Sequence, residues 1–162
     1  MPYRDSTVLL IEHDPDLREI EQLVLTEAGY RVETPSAPTD PVSFAERTQP
    51  DLIVIGIRPA RPRDWQTLVS FKVHTQTRTI PVVAISTSSQ MAAAAQATSL
   101  AEQSIVAPFD IETLENALAQ ALDMPPSFPM IPFAAQRQLA IANDATDIPG
   151  RGTRQPLIPF SR

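Results

Sequence analysis

The run Asp51-Leu52-Ile53-Val54-Ile55-Gly56-Ile57-Arg58-Pro59 constrains this chain more than any other stretch. Four aliphatics in succession, three of them β-branched, suit a short strand buried on both faces, because a half-exposed strand would alternate with polar residues. Pro50 and Asp51 mark its start, and Pro59 and Pro62 mark where pairing must stop. Similar runs at 8–11 and 81–85, with a weaker one at 104–106, supply its neighbours. Each is separated from the next by enough residues for at least one helix. Such a parallel sheet places its sites at the carboxyl ends of the strands, where this strand carries Gly56.

The helices follow from spacing and caps. Asp14 followed by Pro15 is a helix start, and Leu17, Ile20, Val24 and Ala28 recur at helical spacing, predicting an amphipathic helix over 15–28 with Gly29 as its stop. A short strand at 30–34 comes next, then a helix at 42–48 after the proline-rich turn 35–41. Asp64 is the expected cap of a third helix carrying Trp65, Leu68, Val69 and Phe71. Residues 90–100 form a fourth helix. Asp110 caps a fifth with the stripe Ile111, Leu114, Leu118 and Leu122. Five β/α units with right-handed crossovers give a doubly wound α/β fold, a five-stranded parallel sheet in the flavodoxin-like order 2-1-3-4-5 with five helices.

The domain is expected to span 1–123, followed by a proline-rich extension at 124–162 with seven prolines and two glycines. That composition suits a disordered tail; alternatively Phe128, Phe133 and Phe160 dock on a partner or on the domain itself. Residues 1–123 carry nine basic and seventeen acidic side chains, net −8, against four and two in the extension, net +2. An acidic body argues against nucleic-acid binding through phosphate contacts, and no recognition-helix pattern follows residue 123. The chain has no cysteine, no membrane-length apolar stretch and no apolar run behind its polar first residues, so a cytoplasmic protein without disulfide chemistry is expected.

Residues 8–19, Val8-Leu9-Leu10-Ile11-Glu12-His13-Asp14-Pro15-Asp16-Leu17-Arg18-Glu19, resemble the opening of a two-component response-regulator receiver domain. The run from Asp51 to Pro59 resembles its central strand. Pro81-Val82-Val83-Ala84-Ile85-Ser86-Thr87 and Ile105-Val106-Ala107-Pro108-Phe109-Asp110 resemble its last two strands, so the likeness covers roughly 6–123. The resemblance implies transfer of a phosphoryl group from a histidine kinase to an aspartate, with carboxylates for Mg²⁺ and a hydroxyl and a lysine on the phosphoryl oxygens. Carried over residue by residue, the acceptor falls on Gly56 and the acidic pair on Glu12 and His13. The lysine falls on Ala107, ahead of a cis-type proline at 108, and the switch aromatic on Ser104; the hydroxyl survives as Ser86. Neutral imidazole is a poor ligand for a hard oxygen-seeking ion, and a glycine can form no acyl phosphate. A degenerate pseudo-receiver is the expectation, with no catalytic residue, metal or cofactor.

His13 is a pocket-edge histidine or a group that titrates near neutrality beside Glu12 and Asp14. Arg58, Arg61 and Arg63 are a solubilising loop, or one of them enters the emptied pocket and pairs with Glu12 or Asp14 in place of a metal. Asp14 and Asp16 read as helix-capping groups, Trp65 as core or loop packing, and His74 receives no role. The leading function is a phosphorylation-independent signalling adaptor that binds a protein through its fourth helix, fifth strand and fifth helix. The partner would be a histidine kinase, a regulator or a second copy of the chain. Two alternatives stand beside it. One is an unconventional receiver with phosphate on Asp14, Ser86 or His13, or a transition metal on the cluster Glu12-His13-Asp14. The other is a scaffold whose extension is the binding element.

Overall fold

The computed structural model of the chain describes residues 5–123. Five strands alternate with five helices: β1 Thr7–Ile11, α1 Pro15–Glu27, β2 Arg31–Glu33, α2 Pro41–Thr48, β3 Leu52–Gly56, α3 Pro62–Val73, β4 Val82–Ser86, α4 Ser89–Ala97, β5 Gln103–Val106 and α5 Ile111–Asp123. Every strand pair is parallel, and the order across the sheet is β2-β1-β3-β4-β5. This is the flavodoxin-like, doubly wound architecture that the spacing of the apolar runs implies. Phe128, Phe133 and Phe160 lie outside the described residues.

β3 is central and buried along its whole length, pairing Val8 with Leu52 on one side and Gly56 with Ile85 on the other. Alternation turns Val8, Leu10, Leu52, Val54, Val83 and Ile85 to one face, where Leu25 of α1 and Leu114 and Leu118 of α5 complete the core. Leu9, Ile53 and Ile55 turn to the opposite face, and α3 packs on β3 with Leu68 and Phe71 fully buried. Each such side chain contributes roughly 1.5–3 kcal/mol by leaving water. Caps fix the helix starts. Asp14 accepts from the N–H groups of Asp16 and Leu17 at 3.0 and 3.2 Å, and Asp40 accepts from Ser43 N–H at 2.9 Å. Gly29, at φ 98°, ends α1 in a backbone region that a side chain would strain.

Four expectations need correction. On α1, Val24 and Ala28 pack against the core as expected, beside the buried Glu21 and Leu25, while Leu17 and Ile20 are 42% and 59% exposed. The amino-terminal half of this helix stands over the end of the sheet instead of its apolar face, so the helical stripe meets no core there. Asp64 does not cap α3: Pro62 opens the helix after Arg61, and Asp64 lies buried in its first turn. α4 stops at Ala97, before the expected residue 100. Ser99 takes a left-handed φ of 59°, and the N–H groups of Leu100 and Ala101 both turn back to Ala95 O. Ile111 stands 54% exposed at the start of α5, outside the buried stripe.

Candidate functional site

The carboxyl ends of β1, β3, β4 and β5 bring Glu12, Gly56, Ser86 and Ala107 together. With α1 and the β5–α5 turn they line a pocket of about 410 Å³. Glu12 is buried, and its Oε1 accepts from the Asp14 backbone N–H at 2.8 Å and pairs with Arg58 Nη2. Arg18 Nη1 donates to the Glu12 carbonyl at 3.3 Å. A Cβ placed on Gly56 would overlap Glu12 Oε2 and lie 3.1 Å from its Cδ. The glycine therefore serves close approach: it lets the carboxylate lie against the end of the central strand. Of the three loop arginines, Arg58 is the one that enters the pocket.

His13 turns away. It is 40% exposed, with Nε2 3.4 Å from Asp64 Oδ1, and Arg61 Nε approaches the same oxygen to 3.5 Å. Neither contact is a hydrogen bond: Asp64 Oδ1 is buried without one. Burial raises the Asp64 carboxyl above its ordinary range, against the lowering charges of His13 and Arg61. Glu12, His13 and Asp14 thus lead to Arg58, to Asp64 and to the start of α1. Among the described residues no three carboxylate or imidazole groups converge on a common point. The contiguous cluster fails as a metal site because successive side chains at a strand end point apart.

Ser86 is buried, and its Oγ accepts from Ser88 N–H at 3.1 Å, just before α4. Ser104 Oγ donates to Gln96 Oε1 at 3.0 Å, tying β5 to α4. The Ala107–Pro108 peptide is cis. Asp110 caps α5 by accepting from Thr113 N–H at 2.7 Å, and its contacts with Thr113 hold its carboxyl below the usual range.

One pocket residue escaped the sequence reading. Glu21 is 8% exposed, its Oε2 has no hydrogen-bond partner among the described residues, and its carboxyl is raised to about 7. Burial is the main cause; the nearby Glu12 charge adds to it and Arg58 opposes it. The signal was present: Glu21 follows Leu17 by four residues and precedes Val24 by three, placing an acid on the apolar stripe.

The fold recurs in many solved structures. The receiver domain of a sensor histidine kinase from Pseudomonas aeruginosa is 20% identical over 74% of this chain and 99% of its own, with a TM-score of 0.63. A chemotaxis protein of Vibrio cholerae is 22% identical over 72% of this chain and 98% of its own, at 0.61. A sensor protein from a Polaromonas species is 17% identical over 73% and 96%, at 0.64. No curated protein matches the chain. Residues 8–119 match the response regulator receiver domain, and by that match over most of its length the chain belongs to this family.

Proposed function

We propose that this is a receiver domain in which an internal ion pair has replaced phosphotransfer, and which signals by binding another protein without being phosphorylated. The observation that carries this is the Glu12 carboxylate, laid over Gly56 and held by Arg58 and by Asp14 N–H. An acyl phosphate needs a carboxylate at the end of the central strand, and that volume is filled by Glu12. In the Pseudomonas aeruginosa receiver domain a magnesium ion is coordinated in the active-site cleft. The donor set here does not fit such an ion. Glu12 is committed to a guanidinium, Gly56 offers no carboxylate, and His13 faces Asp64. Arg58 supplies the positive charge that balances Glu12, and it does so permanently.

A domain locked in one state works as a binding surface. Val106 of β5 and Ile111 of α5 are exposed, which supports contact with a kinase, a regulator or a second copy on that part of the molecule. Among the described residues α4 presents no large exposed apolar side chain, so its part in the expected contact face is the smaller one.

The test is incubation of the full-length protein with acetyl phosphate and Mg²⁺, read by intact mass, beside an amide-NMR titration with beryllofluoride. Unchanged mass and unshifted resonances at Glu12, Gly56 and Ser86 are expected. A phosphoryl adduct mapped to Asp14, Ser86 or His13 would overturn the reading in favour of an unconventional receiver.

A further inference from the structure

The same end of the sheet holds a feature that a fixed ion pair does not use. The pocket widens beyond Glu12 and Arg58 into a cleft between α1 and the β5–α5 turn, walled by Leu17, Ile20 and Val24 on one side and by Phe109, Ile111 and Leu114 on the other. Leu17, Ile20 and Ile111 leave 42%, 59% and 54% of their surface exposed around it. Its volume of about 410 Å³ falls in the range of small-molecule sites, which are apolar with a few convergent polar groups. Among the polar groups lining it, Glu21 is more than nine-tenths buried, with Oε2 unpartnered among the described residues. A buried carboxylate oxygen without a donor is a destabilising feature unless something supplies one.

Charge decides the class of molecule. Arg58 and Glu12 neutralise each other, and Asp110 and Glu21 remain, so the lining is net negative once Glu21 ionises. An anion finds no free cation among the lining residues; a cation finds Glu21. We propose that this cleft binds a small hydrophobic amine, its ammonium donating to Glu21 and its hydrocarbon body lying against Leu17, Ile20 and Ile111. The groups surrounding Glu21 are Glu12 after β1, Arg58 after β3 and Asp110 before α5, while β4 contributes the neutral Ser86 and Thr87. Binding and ionisation of Glu21 are therefore linked: the amine takes up the anionic acid, and a protonated Glu21 must first release its proton. The inference does not depend on whether the domain can be phosphorylated.

The test uses the full-length protein titrated with hexylamine, hexanol and hexanoate, read by amide chemical shifts at pH 8 and pH 5.5. Hexylamine should shift α1 and the β5–α5 turn and bind more tightly than the other two at pH 8. Its affinity should fall about tenfold or more at pH 5.5, where most of Glu21 is protonated. In Glu21→Gln the preference for amine over alcohol should vanish. The pH profile of the unmodified protein gives the same answer if that variant fails to fold. Hexanoate binding as tightly as hexylamine, amine affinity equal at the two pH values, or no shift at millimolar amine would each overturn the proposal. A negative beryllofluoride result beside amine binding would separate this site from the phosphotransfer question.

Discussion

Two ion pairs sit at opposite ends of one sheet, and they are built differently. At the amino end, Lys72 Nζ of α3 lies 2.7 Å from Glu102 Oε1, and both side chains are wholly buried. Lys72 also donates to Ile80 O at 3.2 Å, and Glu102 Oε2 accepts from Val82 N–H at 2.5 Å, so the pair stitches α3 to the starts of β4 and β5. At the carboxyl end, the Glu12–Arg58 pair leaves Arg58 28% exposed, borders an open pocket, and has beside it Glu21, whose Oε2 has no partner among the described residues. Satisfaction, more than charge, separates scaffold from site. A charge pair closed on all sides specifies packing, and a pair left open beside an unsatisfied acid is poised for a ligand.

The largest effect is expected at the amino end. Lys72→Met strands the Glu102 carboxylate in the core and should cost about 3–5 kcal/mol in urea unfolding. Pocket resonances around Glu12 should hardly move. Replacing both partners by apolar residues should recover much of that loss. If Lys72→Met is nearly neutral, the pair is not the clamp its burial implies.

Glu21 gives the second largest effect, and its sign depends on pH. Its folded carboxyl is raised to about 7, so the fold favours the neutral form. Below its ordinary value of 4.5 the group is protonated folded or unfolded and costs nothing. As pH climbs to about 7 only the unfolded chain ionises, and stability falls by an amount on the order of 3 kcal/mol that stays lost above. Glu21→Gln should therefore match the parent protein at pH 4.5 and exceed it by roughly 2–3 kcal/mol at pH 8. A difference that stays flat with pH would place Glu21 in water.

Gly56→Ala tests the pose of Glu12 directly. The added methyl overlaps Glu12 Oε2, so the carboxylate must leave Arg58 or the strand end must shift, at about 1–3 kcal/mol. The Arg58 guanidinium resonances should move with it. A neutral Gly56→Ala with unchanged Arg58 signals would mean that the glycine is incidental.

How much of this was readable from sequence divides along the same line. The apolar runs and Asp14-Pro15 announced the sheet and the first helix, because burial on both faces and capping leave local patterns. The Glu12–Arg58 contact was legible only as a choice among three arginines. Which one enters depends on how the chain leaves β3, and Arg58 is two residues past Gly56 and closest to the strand. Lys72 and Glu102 stand thirty positions apart with no periodic signal, although the only lysine of the chain lay on a helix face with Leu68 and Phe71. The buried acid on α1 was hidden by Leu17 and Ile20, whose spacing marks a stripe without saying what it faces. Helical period identifies a face; the end of the sheet decides whether that face meets core or cavity.

The smallest effect belongs to His13, and it sharpens the boundary of the site. Its imidazole stands outside the pocket, 40% exposed, 3.4 Å from an Asp64 oxygen that Arg61 also approaches. The half-exposed imidazole makes no hydrogen bond to Asp64, and Arg61 stays beside that oxygen if it is removed, so His13→Ala should change stability by no more than about 0.5 kcal/mol. If His13→Ala were instead to disturb Glu12, Arg58 and Ser86 resonances, the two charge clusters flanking β3 would be one network. The pocket would then extend through the loop to α3.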